Sequence, residues 1–67
     1  MIGDILRLER IKSKVSQKEM ASRYGTSPQA IRNIEKADDV STKLIRKYLA
    51  CLGKDYEIVI VDKKEPA

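Results

Sequence analysis

Between Ser16 and Lys36 the chain reads SQKEMASRYGTSPQAIRNIEK, two short helical patterns parted only by Gly25-Thr26-Ser27. Helices joined by so short a turn cross at a steep angle instead of folding back on each other. The first has a clear start, because Ser16 and Glu19 predict a capping box in which the hydroxyl accepts from an early amide and the carboxylate reaches back. Met20, Ala21 and Tyr24 form its inner face, and small Ala21 lets a crossing helix approach. Gly25 ends it, since glycine takes the left-handed conformation without Cβ strain. The second opens on Ser27 as N-cap, with Pro28 at the first helical position, where a missing N–H costs nothing. Ile31 and Ile34 anchor this helix inward.

On either side of this unit the pattern stays helical, then changes. Ile2 to about Lys12 predicts an amphipathic helix whose stripe is Ile2, Ile5, Leu6, Glu9 and Arg10, with Leu8 and Ile11 off it. Ala37 to Val40 read as a loop. Ser41 then caps a fourth helix, with Leu44, Ile45, Tyr48, Leu49 and Leu52 as its apolar stripe and Gly53 as its end. The segment DYEIVIVD alternates, placing Tyr56, Ile58 and Ile60 on one face and Glu57, Val59 and Val61 on the other. Branched residues at that density predict a β-strand over about 55–62. Residues 63–67 are expected to be a disordered tail. No repeat or low-complexity block interrupts residues 1–62, which read as a single domain.

A chain of 67 residues buries too little surface to be more than marginally stable alone. Its one cysteine, Cys51, permits no internal disulfide, and with no histidine a zinc site has no start. Cys51 reads as a small apolar residue, and no cofactor or metal is implied. Oligomerisation is the remaining device. The terminal strand points the same way, because one strand alone has no ladder partner and an apolar edge invites association. The same strand from a second copy, antiparallel about a two-fold axis, would complete it through Tyr56, Ile58, Val59, Ile60 and Val61. The alternative is a strand lying against its own helices. The opening MIGDILRLER carries charges too often for a signal peptide, and no segment is long enough to span a membrane, so a cytoplasmic location is expected.

The outer face of the third helix is Gln29, Arg32, Asn33 and Lys36, polar or basic and free of acid. Gln and Asn can bond adenine twice, and Arg can bond guanine twice. A helix of this width fits the major groove of B-DNA, held clear of the body by its short turn. A net charge of +4 fits an anionic partner. A polar face is also what any solvated helix shows, and only the combination of caps, Gly turn, Ser-Pro start, Ala21 and acid-free face favours a reading head.

Gln17, Ala21, Gly25, Ser27, Ile31, Ile34 and Glu35 stand at the spacing of the helix-turn-helix family of phage repressors and Cro proteins, which also holds small bacterial regulators and antitoxins. The chain resembles that family from about Ile2 through Gly53, and its ending is similar to members with a terminal strand. The resemblance implies a mostly α fold of four short helices containing a helix-turn-helix, plus one C-terminal β-strand pairing across a homodimer. It implies base contacts from Gln29 and Asn33, with Arg32 reaching a base or a phosphate. It implies a phosphate contact from Gln17, beside Ser16 at a helix N-terminus suited to phosphate. Arg10 and Glu35 match a buried salt bridge of phage repressors. Ser27 and Lys36 join the expected phosphate contacts. Pro28 stands where some relatives read a base and offers only an apolar contact. The chain departs from many relatives at Ala37-Asp38-Asp39, where they carry Asn-Gly and basic residues. Lys18, Lys43 and Lys47 read equally as phosphate contacts or as ordinary surface lysines.

The leading expectation is a sequence-specific regulator of double-stranded DNA, a homodimeric repressor on a near-palindromic site. The alternative is an antitoxin whose strand or fourth helix binds a toxin, with DNA binding as autoregulation. The absence of histidine, a Gly-rich phosphate loop, HExxH and a nucleophile elbow argues against an enzyme.

Overall fold

The computed structural model describes residues 1–62. Its helices are α1 (Ile2–Lys12), α2 (Gln17–Tyr24), α3 (Pro28–Lys36) and α4 (Thr42–Ala50). Three of them start on a serine whose hydroxyl oxygen accepts an orphan amide: Ser16 from Glu19 N–H at 3.1 Å, Ser27 from Ala30 at 3.2 Å and Ser41 from Leu44 at 3.2 Å. The reciprocal half of the predicted capping box is missing. The Glu19 carboxylate pairs instead with Arg23, one helical turn on, at 2.9 Å. Gly25 closes α2 with φ +85° and ψ +39°, the left-handed cap that lets the chain turn at once into α3.

Leu6, Val15, Met20, Ala21, Ile31, Tyr48 and Leu49 form the core, drawn from every helix and the turn after α1. α3 sits between α1 and α2, and α1 packs also on α4. Tyr24, Ile34, Leu44, Ile45 and Leu52 close over the core from its margin.

α1 is rotated from the expected stripe. Gly3, Leu6 and Arg10 are its buried residues, whereas Ile5 is 57% exposed and joins Leu8 and Ile11 on the outside. Close approach is the cause. A Cβ at Gly3 would stand 2.5 Å from the Ile34 carbonyl oxygen and 2.6 Å from that of Glu35, so only glycine lets α1 lie against the last turn of α3. The first amides of α1 then donate to the loop after α3, Gly3 to the Ala37 oxygen at 3.1 Å and Ile2 to that of Asp38 at 3.3 Å.

The described residues contain no strand: residues 55–62, predicted to be one, run without a ladder. The described residues offer that segment no edge to pair with. Tyr56 is partly buried and packs against the core, and it lines a cleft together with Ile2, Leu6, Ile45 and Leu49. Ile58, Val59, Ile60 and Val61 stay 70–89% exposed. The tail expected over 63–67 lies outside the described residues.

Candidate nucleic-acid interface

α3 presents Pro28, Gln29, Arg32, Asn33 and Lys36 to solvent, with Ile31 and Glu35 buried behind them. Gln29 and Asn33, one turn apart, are already organised: Gln29 Nε2 donates to Asn33 Oδ1 at 3.1 Å. The Gln29 carbonyl oxygen and the Asn33 amide nitrogen have no partner among the described residues. The pair thus keeps an acceptor on Gln29 and donors on Asn33 free on an exposed face. Arg32 and Lys36 have no ion-pair partner among the described residues.

Behind this face the position of α3 is set by a buried polar cluster. Arg10 Nε donates to Glu35 Oε2 at 2.7 Å and its Nη2 to Oε1 at 3.1 Å, a two-pronged pair, while Nη1 donates to the Val15 carbonyl oxygen at 2.8 Å. Tyr48 Oη donates to Glu35 Oε2 at 2.6 Å, and Gln17 Nε2 donates to Oε1 at 3.3 Å. Burial by itself would raise the Glu35 carboxyl. The hydrogen bonds from Arg10, then Tyr48 and Gln17, outweigh it and hold the group below the ordinary carboxylate range. The Tyr48 phenol moves up, first because it is buried and then because it faces a carboxylate. Sequence reading placed Tyr48 only as a packing group. A phenol on an apolar stripe was the available signal, since a buried hydroxyl needs a partner.

The residues expected to touch phosphate fall in several places. Ser16 and Lys18 are exposed at the start of α2, Ser27 at the start of α3, and Lys43 in the first turn of α4. Gln17 is half-buried, its amide turned toward Glu35. Lys47 lies 4.3 Å from the centre of the Tyr24 ring, a cation–π contact that holds it to the protein. An open groove brings Gln17, Arg32 and Lys36 together with Asp4 and Arg7 of α1, over Glu35. Asp4 and Arg7 carry no signal in the helical pattern itself. The glycine one turn before Arg7 was the clue, because a glycine inside a helix marks a close neighbour.

A family model described as helix-turn-helix matches residues 6–59, taking in α2, α3 and the turn between them. The chain belongs to the helix-turn-helix family. It is a DNA-binding transcription regulator. No curated protein and no solved structure matches it. As a helix-turn-helix domain it uses α2 to support α3 and leaves the polar face of α3 free. No helix among the described residues is long and apolar enough to cross a membrane. Among the same residues no group of three or more His, Cys, Asp or Glu is placed to hold a metal ion.

Proposed function

We propose that this regulator is a repressor that binds a near-palindromic operator as a homodimer, with α3 reading bases in the major groove. The observation that carries the reading is the bonded pair Gln29–Asn33 on an exposed, acid-free helix face. Its free acceptor and donor match what adenine presents in the major groove, an N6–H donor beside the N7 acceptor. Arg32 adjoins the pair and suits a guanine or a phosphate, while Pro28 offers apolar contact to a thymine methyl. Ser16, Gln17, Lys18, Ser27, Lys36 and Lys43 would hold the backbone, with one change in emphasis: Gln17 must share its amide between Glu35 and a phosphate. Two copies would set their reading helices about 34 Å apart, one helical turn of DNA. Occupancy of the operator is then the means of repression.

The dimer contact is assigned to Ile58, Val59, Ile60 and Val61, whose exposure in one copy leaves four branched apolar side chains in water. Antiparallel pairing with the same segment would satisfy both the side chains and the backbone. That exposed run also supports a second reading, an antitoxin that adds the segment to the sheet edge of a toxin and represses its own gene. A second protein retained through purification, and lost when Ile58 and Ile60 are replaced by lysine, would favour it.

Selection of duplexes from a random pool tests the base-reading face. Gln29→Ala is expected to change the sequence recovered, discarding about 1–3 kcal/mol of discrimination at one position. Lys18→Ala is expected to weaken all duplexes alike. If both variants lose affinity equally on every sequence, α3 is not reading bases.

A further inference from the structure

Six cations among the described residues, Arg7, Lys14, Lys18, Arg32, Lys36 and Lys43, make neither an ion pair nor a stacking contact. Three of these, Arg7, Arg32 and Lys36, line one groove between α1, α2 and α3. Gln17 lies in that groove as well, and so does Glu35, whose charge is matched by Arg10. Asp4 is the sole carboxylate there without a cationic side-chain partner. The close packing at Gly3 creates this arrangement, since it draws α1 against the last turn of α3, where Lys36 stands.

We infer that this groove seats a backbone phosphate of the DNA duplex, with Arg7 of α1 as a phosphate-contacting residue beside Arg32, Lys36 and Gln17. The inference rests on the reading of α3 as the DNA-facing helix and extends the contact surface to α1, outside the two-helix unit. Phosphate is the chemistry that fits. Uncommitted cations from two elements converge on a site open to solvent, beside a side-chain amide and on the flank of a base-reading face. A guanidinium held by no internal bond is free to meet an anion in two-pronged fashion. The seat also gives the domain a contact that Asp38 and Asp39, in the loop after α3, are poorly suited to make.

The test is the salt dependence of duplex binding for Arg7→Ala, Arg7→Gln, Arg7→Lys and Asp4→Asn, with Lys14→Gln as an equal charge change outside the groove. Each is titrated on a random-sequence duplex and on one enriched by the wild-type chain. Arg7→Ala and Arg7→Gln should weaken both duplexes by the same factor, about 5- to 10-fold, and lower the slope of log affinity against log salt by about 0.9, the signature of one lost phosphate contact. Arg7→Lys should keep the slope. Asp4→Asn should tighten both duplexes, and Lys14→Gln should leave the slope as it is. A wild-type slope in Arg7→Ala and Arg7→Gln, or a loss in them no larger than that of Lys14→Gln, overturns the inference and leaves the reading of α3 intact. A lower unfolding midpoint in both Arg7→Ala and Arg7→Gln makes the residue structural and overturns it too. A wild-type chain that binds no duplex overturns both readings together.

Discussion

Tyr48 of α4 donates its hydroxyl hydrogen to Glu35 of α3 at 2.6 Å, on the same carboxylate oxygen that accepts from Arg10 of α1. With Gln17 of α2 on the other oxygen, a residue from each helix converges on Glu35. The helix whose outer face is assigned to DNA is thus fixed from behind by one buried carboxylate. Every partner bonds the carboxylate, and loss of either Glu35 or Arg10 leaves the other's charge buried and unpaired.

Glu35→Ala should therefore cost about 3–5 kcal/mol, since Arg10 would be left buried and unpaired. For so small a domain this approaches the whole of its stability. Urea unfolding followed by circular dichroism should show the variant largely unfolded in buffer. The paired change Arg10→Met with Glu35→Leu should recover most of the loss, because it removes both charges. Tyr48→Phe should cost less, about 1.5–3 kcal/mol for a hydrogen bond to a charged group. A fully folded Glu35→Ala chain would show that the ion pair is dispensable.

Stability should depend on pH at both ends of the scale. The Glu35 carboxyl is held below its ordinary value of 4.5 in the fold, so the stability it contributes is present above that pH and fades as pH falls further. The Tyr48 phenol is raised above its ordinary 10.0, so its contribution is complete below pH 10 and is lost as pH rises beyond it. Thermal midpoints measured across both windows should fall at each end. Tyr48→Phe should flatten the alkaline limb and also shrink the acid one, because its hydrogen bond helps hold the Glu35 carboxyl down.

Two glycines should fail on substitution for different reasons. Gly3→Ala would drive a methyl into backbone oxygens 2.5 and 2.6 Å away, so α1 must separate from α3, with a loss of about 1–3 kcal/mol. Gly25→Ala meets open space, and its loss of about 1–2 kcal/mol comes from φ +85°. A Gly25→Asn variant, suited to left-handed backbone, should recover part of that loss, whereas no side chain should rescue position 3. Thermal melts of the four chains decide this.

Ile58→Lys with Ile60→Lys should leave the helical core folded and abolish the proposed dimer, because neither side chain touches that core and both are at least 70% exposed. Analytical ultracentrifugation should show a dimer for the wild type and a monomer for the variant. Circular dichroism should be little changed. A variant that still sediments as a dimer would move the interface elsewhere.

The helices were legible because their signals are local. Serine caps, Pro28 at the start of α3 and Gly25 with its left-handed turn act within a few residues, so the sequence by itself set where α2, α3 and α4 begin and where α2 stops. The exposed face of α3 followed from periodicity, once Ile31 faced inward. Tertiary structure alone decided the rotation of α1. Helical spacing allowed Ile5 into the interior, but the backbone contact at Gly3 and the burial of Arg10 against Glu35 turned it out. The groove that joins Arg7 to Arg32 and Lys36 arises the same way, from residues distant in the chain whose meeting no local pattern encodes. The last segment shows the opposite case. Residues 55–62 alternate as a strand does, yet a strand is defined by its neighbour, and the described residues of one copy supply none.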